Sequence, residues 1–95
     1  MTFALEFHPD AWAQWNSLDN SVRETLKKKL LKRLEQPHVP ASCLHGDLVN
    51  CYKVKHDKTG HRLVYEVIDD RVVVYVLAVG ERARLDAYRK ASRRR

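Results

Sequence analysis

Between Cys51 and Val79 the chain carries three successive runs of strand-forming residues joined by two short turns, and no other segment narrows the fold so much. Cys51 to His56 alternates, Asp57-Lys58-Thr59-Gly60 is a turn, and His61 to Ile68 runs back. Asp69-Asp70 makes a tight second turn, and Arg71 to Val79 is a third strand, rich in β-branched residues, after which Gly80 ends the sheet. Strands so closely joined pair as an antiparallel meander, and its apolar face needs a cover. The upstream residues provide one. Thr2 to Phe7 reads as a short strand, and Pro9 opens a helix with Ala11, Trp12, Trp15 and Leu18 along one stripe. Asp19-Asn20-Ser21 interrupts it with cap-forming side chains. A second helix then carries Val22, Leu26, Leu30, Leu31 and Leu34 on one side and stops before Pro37. Two helices joined by so short a break fold back as an antiparallel hairpin, with Trp12 and Trp15 packed between them. Pro37 to Asn50 lacks periodicity and is a loop. Asp86 to Ser92 forms a last short helix, followed by a frayed Arg93-Arg94-Arg95. The order β-α-α-β-β-β-α is an α+β fold, a helical hairpin on a small, mostly antiparallel sheet, with residues 1–95 forming a single domain.

Charge narrows the partners. Among 95 residues, 18 are Lys or Arg and 12 are Asp or Glu, a net +6 that favours nucleic acid or an acidic protein. The longest apolar run, Val72 to Val79, is far short of the ~20 residues that span a bilayer, and the N-terminus lacks the layout of a signal peptide. A cytoplasmic protein without a membrane partner is expected. Cys43 and Cys51 are too few and too far apart for a zinc motif, and the histidines have neither metal-ligand nor triad spacing. No metal or other cofactor is expected. No carboxylate pair, glycine-rich phosphate loop or Cys/His nucleophile pattern is present.

Strand alternation serves as a ruler for the site. A four-residue loop from Asp57 to Gly60 sets His56 opposite His61, Lys55 opposite Arg62 and Lys53 opposite Val64. Lys53, Lys55 and Arg62 then share one sheet face, while Tyr52, Val54, Leu63 and Tyr65 point to the helices. Like charges directly opposite one another are destabilising, so the fold gains nothing from this pairing. A phosphate bound between the strands accounts for it; the plain alternative is a set of solvated cations on an open face. By the same register Val73, Tyr75 and Leu77 lie on the cationic face, so the C-terminal helix or a partner has to cover them. If that helix folds back over the sheet, Arg82 and Tyr88 join Lys53, Lys55 and Arg62. Several cations and one phenol suit cleavage of RNA by its own 2′-hydroxyl, which needs a proton acceptor, charge stabilisation at phosphorus and a proton donor to the leaving oxygen.

Other residues point less sharply. On the second helix Lys27, Lys28, Lys29, Lys32 and Arg33 form the densest basic patch, suited to phosphate contacts and equally to a solvated helix face. Arg84 extends the basic segment after Gly80. His45, in the loop before Gly46, is placed to contact a substrate. His8 and His38 read as surface loop residues, and His56 and His61 as structural residues flanking the turn.

The run from VRETLKKKL through CYKVK and HRLVYEVIDDRVVVYVLAVGER to Tyr88 resembles the RelE family of bacterial toxins along nearly the whole chain. The resemblance implies a RelE/ParE-like fold and a ribosome-dependent endoribonuclease, an mRNA interferase. Such an enzyme cuts the codon in the A site of the small (30S) ribosomal subunit and leaves a 2′,3′-cyclic phosphate. It also implies a RelB-like antitoxin, and contact with operator DNA only through the antitoxin complex. The family's functional positions fall on Lys53, Lys55, Arg62, Arg82 and Tyr88. Tyr88 would orient or deprotonate the 2′-hydroxyl, Lys53, Lys55 and Arg62 would hold the phosphate, and Arg82 would stabilise or protonate the leaving oxygen. Lys27, Lys28, Lys32, Arg33, His45 and Arg84 would bind RNA or the ribosome. Two departures stand out: His45 where close relatives often carry arginine, and Glu81 where a basic residue is common. Some relatives of this fold inhibit DNA gyrase without cutting RNA, and a module that only represses with its partner is a third possibility.

Overall fold

The computed structural model describes residues 2–81 and 86–94, with only the backbone of residues 81 and 86. The elements run β1 (Ala4–Phe7), α1 (Pro9–Ser17), α2 (Asn20–Glu35), β2 (Cys51–His56), β3 (His61–Ile68), β4 (Val73–Glu81) and α3 (Asp86–Arg94). The sheet order is β1-β4-β3-β2; β1 is parallel to β4 and the other pairs are antiparallel. This is the expected α+β order with a mostly antiparallel sheet.

The helical cover forms on one face. Val22, Leu26, Leu30 and Leu34 recur every four residues along α2 and are all buried. They pack with Ala11 and Trp15 of α1 onto Tyr52, Val54, Leu63, Tyr65, Val67, Val74, Val76 and Val79. The opposite face is apolar only over its centre. There Cys51, Val64, Leu77 and Ala78 lie beneath Ala87 and Ala91 of α3, flanked by Tyr75 and Tyr88. A bulge between Val64 and Tyr65 makes this second layer possible. Val64 pairs with Ala78 and Tyr65 with Val76, so Leu77 has no cross-strand partner and both Leu77 and Ala78 join the α3 cluster.

Several local expectations change. Helix α1 lies against β4 and α2 against β2, leaving a cavity of about 260 Å³ lined by residues of both helices. Trp12 and Leu31 border it and are about half exposed, at 51% and 48%, so of the two tryptophans only Trp15 is core. Strand β1 starts at Ala4, because the preceding Phe3 donates its N–H to the Leu34 carbonyl of α2 (2.9 Å). The third strand of the meander begins at Val73 and continues through Gly80 to Glu81. Asp69–Arg71 forms a 3-10 turn, and Val72 leaves it in the left-handed region (φ 55°, ψ 50°). Helix α3 runs on to Arg94, two residues past Ser92, so Arg93 and Arg94 are helical.

A β-branched residue in the left-handed region is strained by its own Cβ. Replacing Val72 by asparagine, which tolerates that region, should raise unfolding free energy by about 1 kcal/mol. Urea titration of Val72→Asn beside the parent chain checks this; a midpoint shifted downward contradicts it.

Candidate active site

The turn after β2 pins the site. Gly60 (φ 77°) takes the left-handed position that a Cβ would penalise, and its N–H donates to the His56 carbonyl (2.9 Å). The Thr59 hydroxyl lies between the rings of His56 and His61, 2.9 and 2.7 Å from their Nδ1 atoms. The register that results is the expected one, with Lys53 opposite Val64, Lys55 opposite Arg62 and His56 opposite His61.

Lys53, Lys55 and Arg62 therefore share one face. Lys55 is exposed, Lys53 half-buried, and Arg62 only 5% exposed, its guanidinium donating to the His61 carbonyl (3.1 Å). Among the described residues no carboxylate forms an ion pair with any of the three. Holding an arginine out of water beside a lysine costs stability unless an anion compensates. The arrangement is one that a phosphate would relieve.

Helix α3 folds back over this same face and brings Tyr88 with it. Tyr88 packs on the cluster containing Cys51 and Val64. Val64 is the cross-strand partner of Lys53, and Cys51 lies two residues, about 7 Å, from Lys53 along the face. Tyr88 also lines an open cavity of about 340 Å³ with Arg89, Ser92, His45, Asp47 and Leu48. The loop histidine and the helical tyrosine, distant in sequence, thus meet at one site. Arg82 and Arg84 lie outside the described residues. So does the side chain of Glu81.

The basic helix divides. Lys27, Lys28, Lys29 and Lys32 are exposed, whereas Arg33 turns inward. Its Nη1 donates to the Lys53 carbonyl (3.2 Å) and the Tyr65 hydroxyl (2.9 Å), and its Nη2 to Ser42 Oγ (3.1 Å). The Tyr65 hydroxyl in turn donates a hydrogen bond to the Pro37 carbonyl (2.8 Å). One turn earlier, Lys29 Nζ donates to the Lys55 carbonyl (2.6 Å). Strand β2 is at the sheet edge, and α2 thereby satisfies the outward carbonyls of both site lysines. Lys29, Lys32, Lys53 and Lys55 also line one cleft of about 290 Å³, together with Ser42 and Asp57. Lys27 instead borders the α1/α2 cavity.

Sequence reasoning did not find the inward role of Arg33, the tether by Lys29, or the loop clasp in which His38 bridges the Tyr52 hydroxyl (Nδ1, 2.8 Å) and Asp69 (Nε2, 2.8 Å). Only the four-residue spacing of Lys29 and Arg33 hinted at a shared helix face. Burial raises the pKa of Tyr52 and of Tyr65 above the ordinary tyrosine value, the Arg33 contact opposing the rise at Tyr65. Among the described residues no group of three His, Cys, Asp or Glu side chains is set to hold a metal ion, and both cysteines are free thiols.

Known proteins resemble this chain in sequence and fold. The family profile described as "ParE toxin of type II toxin-antitoxin system, parDE" matches residues 5–86. The chain is 46% identical over 94 residues to the mRNA interferase toxin RelE of Escherichia coli, covering 99% of this chain and 98% of that one. It belongs to the RelE/ParE family of toxins. The toxin superposes on an arginine-to-alanine double mutant of E. coli RelE in the free state with a TM-score of 0.90, at 44% identity over 99% of this chain and 98% of the other. The intact E. coli RelBE toxin–antitoxin complex matches with a TM-score of 0.81, at 47% identity over 83% and 95% of the two chains.

Two outcomes follow from the tyrosine network. Arg33→Met, which removes three hydrogen bonds but keeps an apolar stem, should lower stability by about 2 kcal/mol; a denaturation midpoint equal to the parent's would contradict it. Because the folded-state pKa values of Tyr52 and Tyr65 are raised, the unfolded chain ionises first. Their contribution is therefore complete below about pH 10 and is lost as pH rises beyond it. Thermal melts from pH 8 to 11 should show a steep alkaline fall that Tyr52→Phe and Tyr65→Phe each flatten.

Proposed function

We propose that this toxin is a ribosome-dependent endoribonuclease that cuts mRNA in the ribosomal A site. The observation that carries the reading is the juxtaposition of Lys53, Lys55 and buried Arg62 with Tyr88 on one sheet face, in a chain nearly half identical to an mRNA interferase. The bond from the 2′-oxygen to phosphorus forms as the bond to the 5′-oxygen breaks, leaving a 2′,3′-cyclic phosphate and a 5′-hydroxyl. Tyr88 orients the 2′-hydroxyl or takes its proton. Lys53, Lys55 and Arg62 hold the phosphate and offset the charge that builds on its oxygens. Arg82 is assigned to the leaving oxygen, which it stabilises or protonates. The reaction draws on side chains alone and asks for no cofactor.

Exposed Lys27, Lys28 and Lys32, with His45 and Arg84, serve as contacts to ribosomal and messenger RNA on the small (30S) subunit. Arg33, proposed from sequence for the same role, has both terminal nitrogens engaged within the fold and is left out of that set. The partner that restrains the toxin is a RelB-like antitoxin, as the RelBE complex suggests, and operator DNA is reached only through that complex. The ribosomal target and the antitoxin partner place its action in the cytoplasm; among the described residues no helix is long and apolar enough to cross a membrane.

Primer extension on one mRNA, with and without programmed ribosomes, tests the reading. Cuts inside the A-site codon only when ribosomes are present are expected, with Tyr88→Phe slower by at least about 100-fold. Cuts on naked RNA would mean a free ribonuclease. No cuts from a chain still toxic in cells would make it a gyrase-type inhibitor.

A further inference from the structure

Helix α3 holds Tyr88 over the sheet with little apolar contact of its own. Its buried residues, Ala87 and Ala91, bring two methyl groups, while Arg89, Ser92 and Arg93 are exposed. A nine-residue helix is not stable alone in water, so tertiary contacts must hold it.

Among the described residues, the polar clasp on α3 is at the end away from Tyr88. Strand β1 pairs with β4 only as far as Val76, so beyond that residue one edge of β4 has no strand beside it among the described residues. Side chains fill the place. Val79 donates its N–H to Gln14 Oε1 of α1 (3.2 Å). Arg94, in the last turn of α3, donates through Nη1 to the same Gln14 Oε1 (2.9 Å) and to the Leu77 carbonyl (3.0 Å). Its Nε lies 3.8 Å from Asp10 Oδ2, and the side chain is only 15% exposed. Helices α1 and α3 cover opposite faces of the sheet, so Arg94 reaches around the edge of β4 and clasps one layer to the other.

We propose that Arg94 is a positioning residue for Tyr88. They lie six positions apart, about 9 Å along the helix axis. One end of α3 presents the phenol to the cationic face; the other is locked to β4 and α1. Releasing the lock leaves two alanines and part of a tyrosine to hold the helix, and the phenol loses its fixed place. A misplacement of about 1 Å at a reacting group costs on the order of 100-fold in rate.

The inference rests on the proposed ribonuclease reading, and the experiment separates the two. Cleavage on programmed ribosomes is measured for the parent, Arg94→Met and Arg94→Lys, alongside amide hydrogen exchange of each free toxin. Arg94→Met should lower kcat by about 10- to 100-fold while KM for ribosomes stays within about 2-fold. Arg94→Lys, which keeps a donor for Leu77 and Gln14, should recover most of the rate. Exchange should quicken along α3 and not along β3. Unchanged exchange in α3 would overturn the proposal, as would a raised KM with kcat intact, which would make Arg94 an RNA contact. If Arg94→Met unfolds throughout, Gln14→Met, lacking one acceptor of the clasp, is read by the same criteria. A parent toxin that never cuts RNA would sink the ribonuclease reading and the assigned role of Arg94 with it, whereas an active parent with unaltered α3 exchange in the variants would sink the clasp alone.

Discussion

The hairpin between β2 and β3 is the constraint on which the rest depends. A strand has a side-chain period of two, so a slip of one residue would send Tyr52 and Val54 into solvent and turn Lys53 and Lys55 into the helical core. The turn resists the slip with a left-handed glycine and with Thr59 held between two histidines. The edge strand is held from outside as well. Lys29 and Arg33 occupy the carbonyls of the two site lysines, which leaves those positions tied to α2 and closed to a foreign strand.

The two sheet faces are built to different ends. Beneath α1 and α2, leucines and valines close around Tyr65 and Leu63, and the buried polar atoms of that layer have partners inside the fold. The other face is divided. Its centre packs against the small side chains of α3, and the hairpin end keeps Lys53, Lys55 and Arg62 together without a carboxylate paired to them among the described residues. Such a surface is poor for stability and good for binding a phosphate, whose charge offsets what folding leaves uncompensated. The α2 core can bear the burden because it does not share residues with the site.

The fold and the grouping of Lys53, Lys55 and Arg62 on one face were legible because both follow from local periodicity. Alternation from Cys51 to Ile68 and a four-residue turn suffice to set Lys55 opposite Arg62. Tyr88 was legible only on the condition that α3 folds back, and the structure meets it through Ala87 and Ala91. Arg33 was misread as an outward cation because a basic helix face looks the same whether its residues meet solvent or a strand edge. Trp12 was misread as core for the converse reason. A helical stripe gives the direction of a side chain, but the spacing between α1 and α2 sets whether anything fills the space beyond it.

By itself, then, the sequence determined the order of elements, the pairing of the meander and the clustering of three cations, because these are set by periods of two and 3.6 residues and by turns of a few residues. Only the tertiary structure decided which polar side chains finish the sheet edges. Gln14 with Val79, Arg33 with Lys53, and Arg94 with Leu77 are contacts between residues 17 to 65 positions apart. They arise where a strand lies at the sheet edge or where one strand ends short of its neighbour, and no local pattern records such a mismatch.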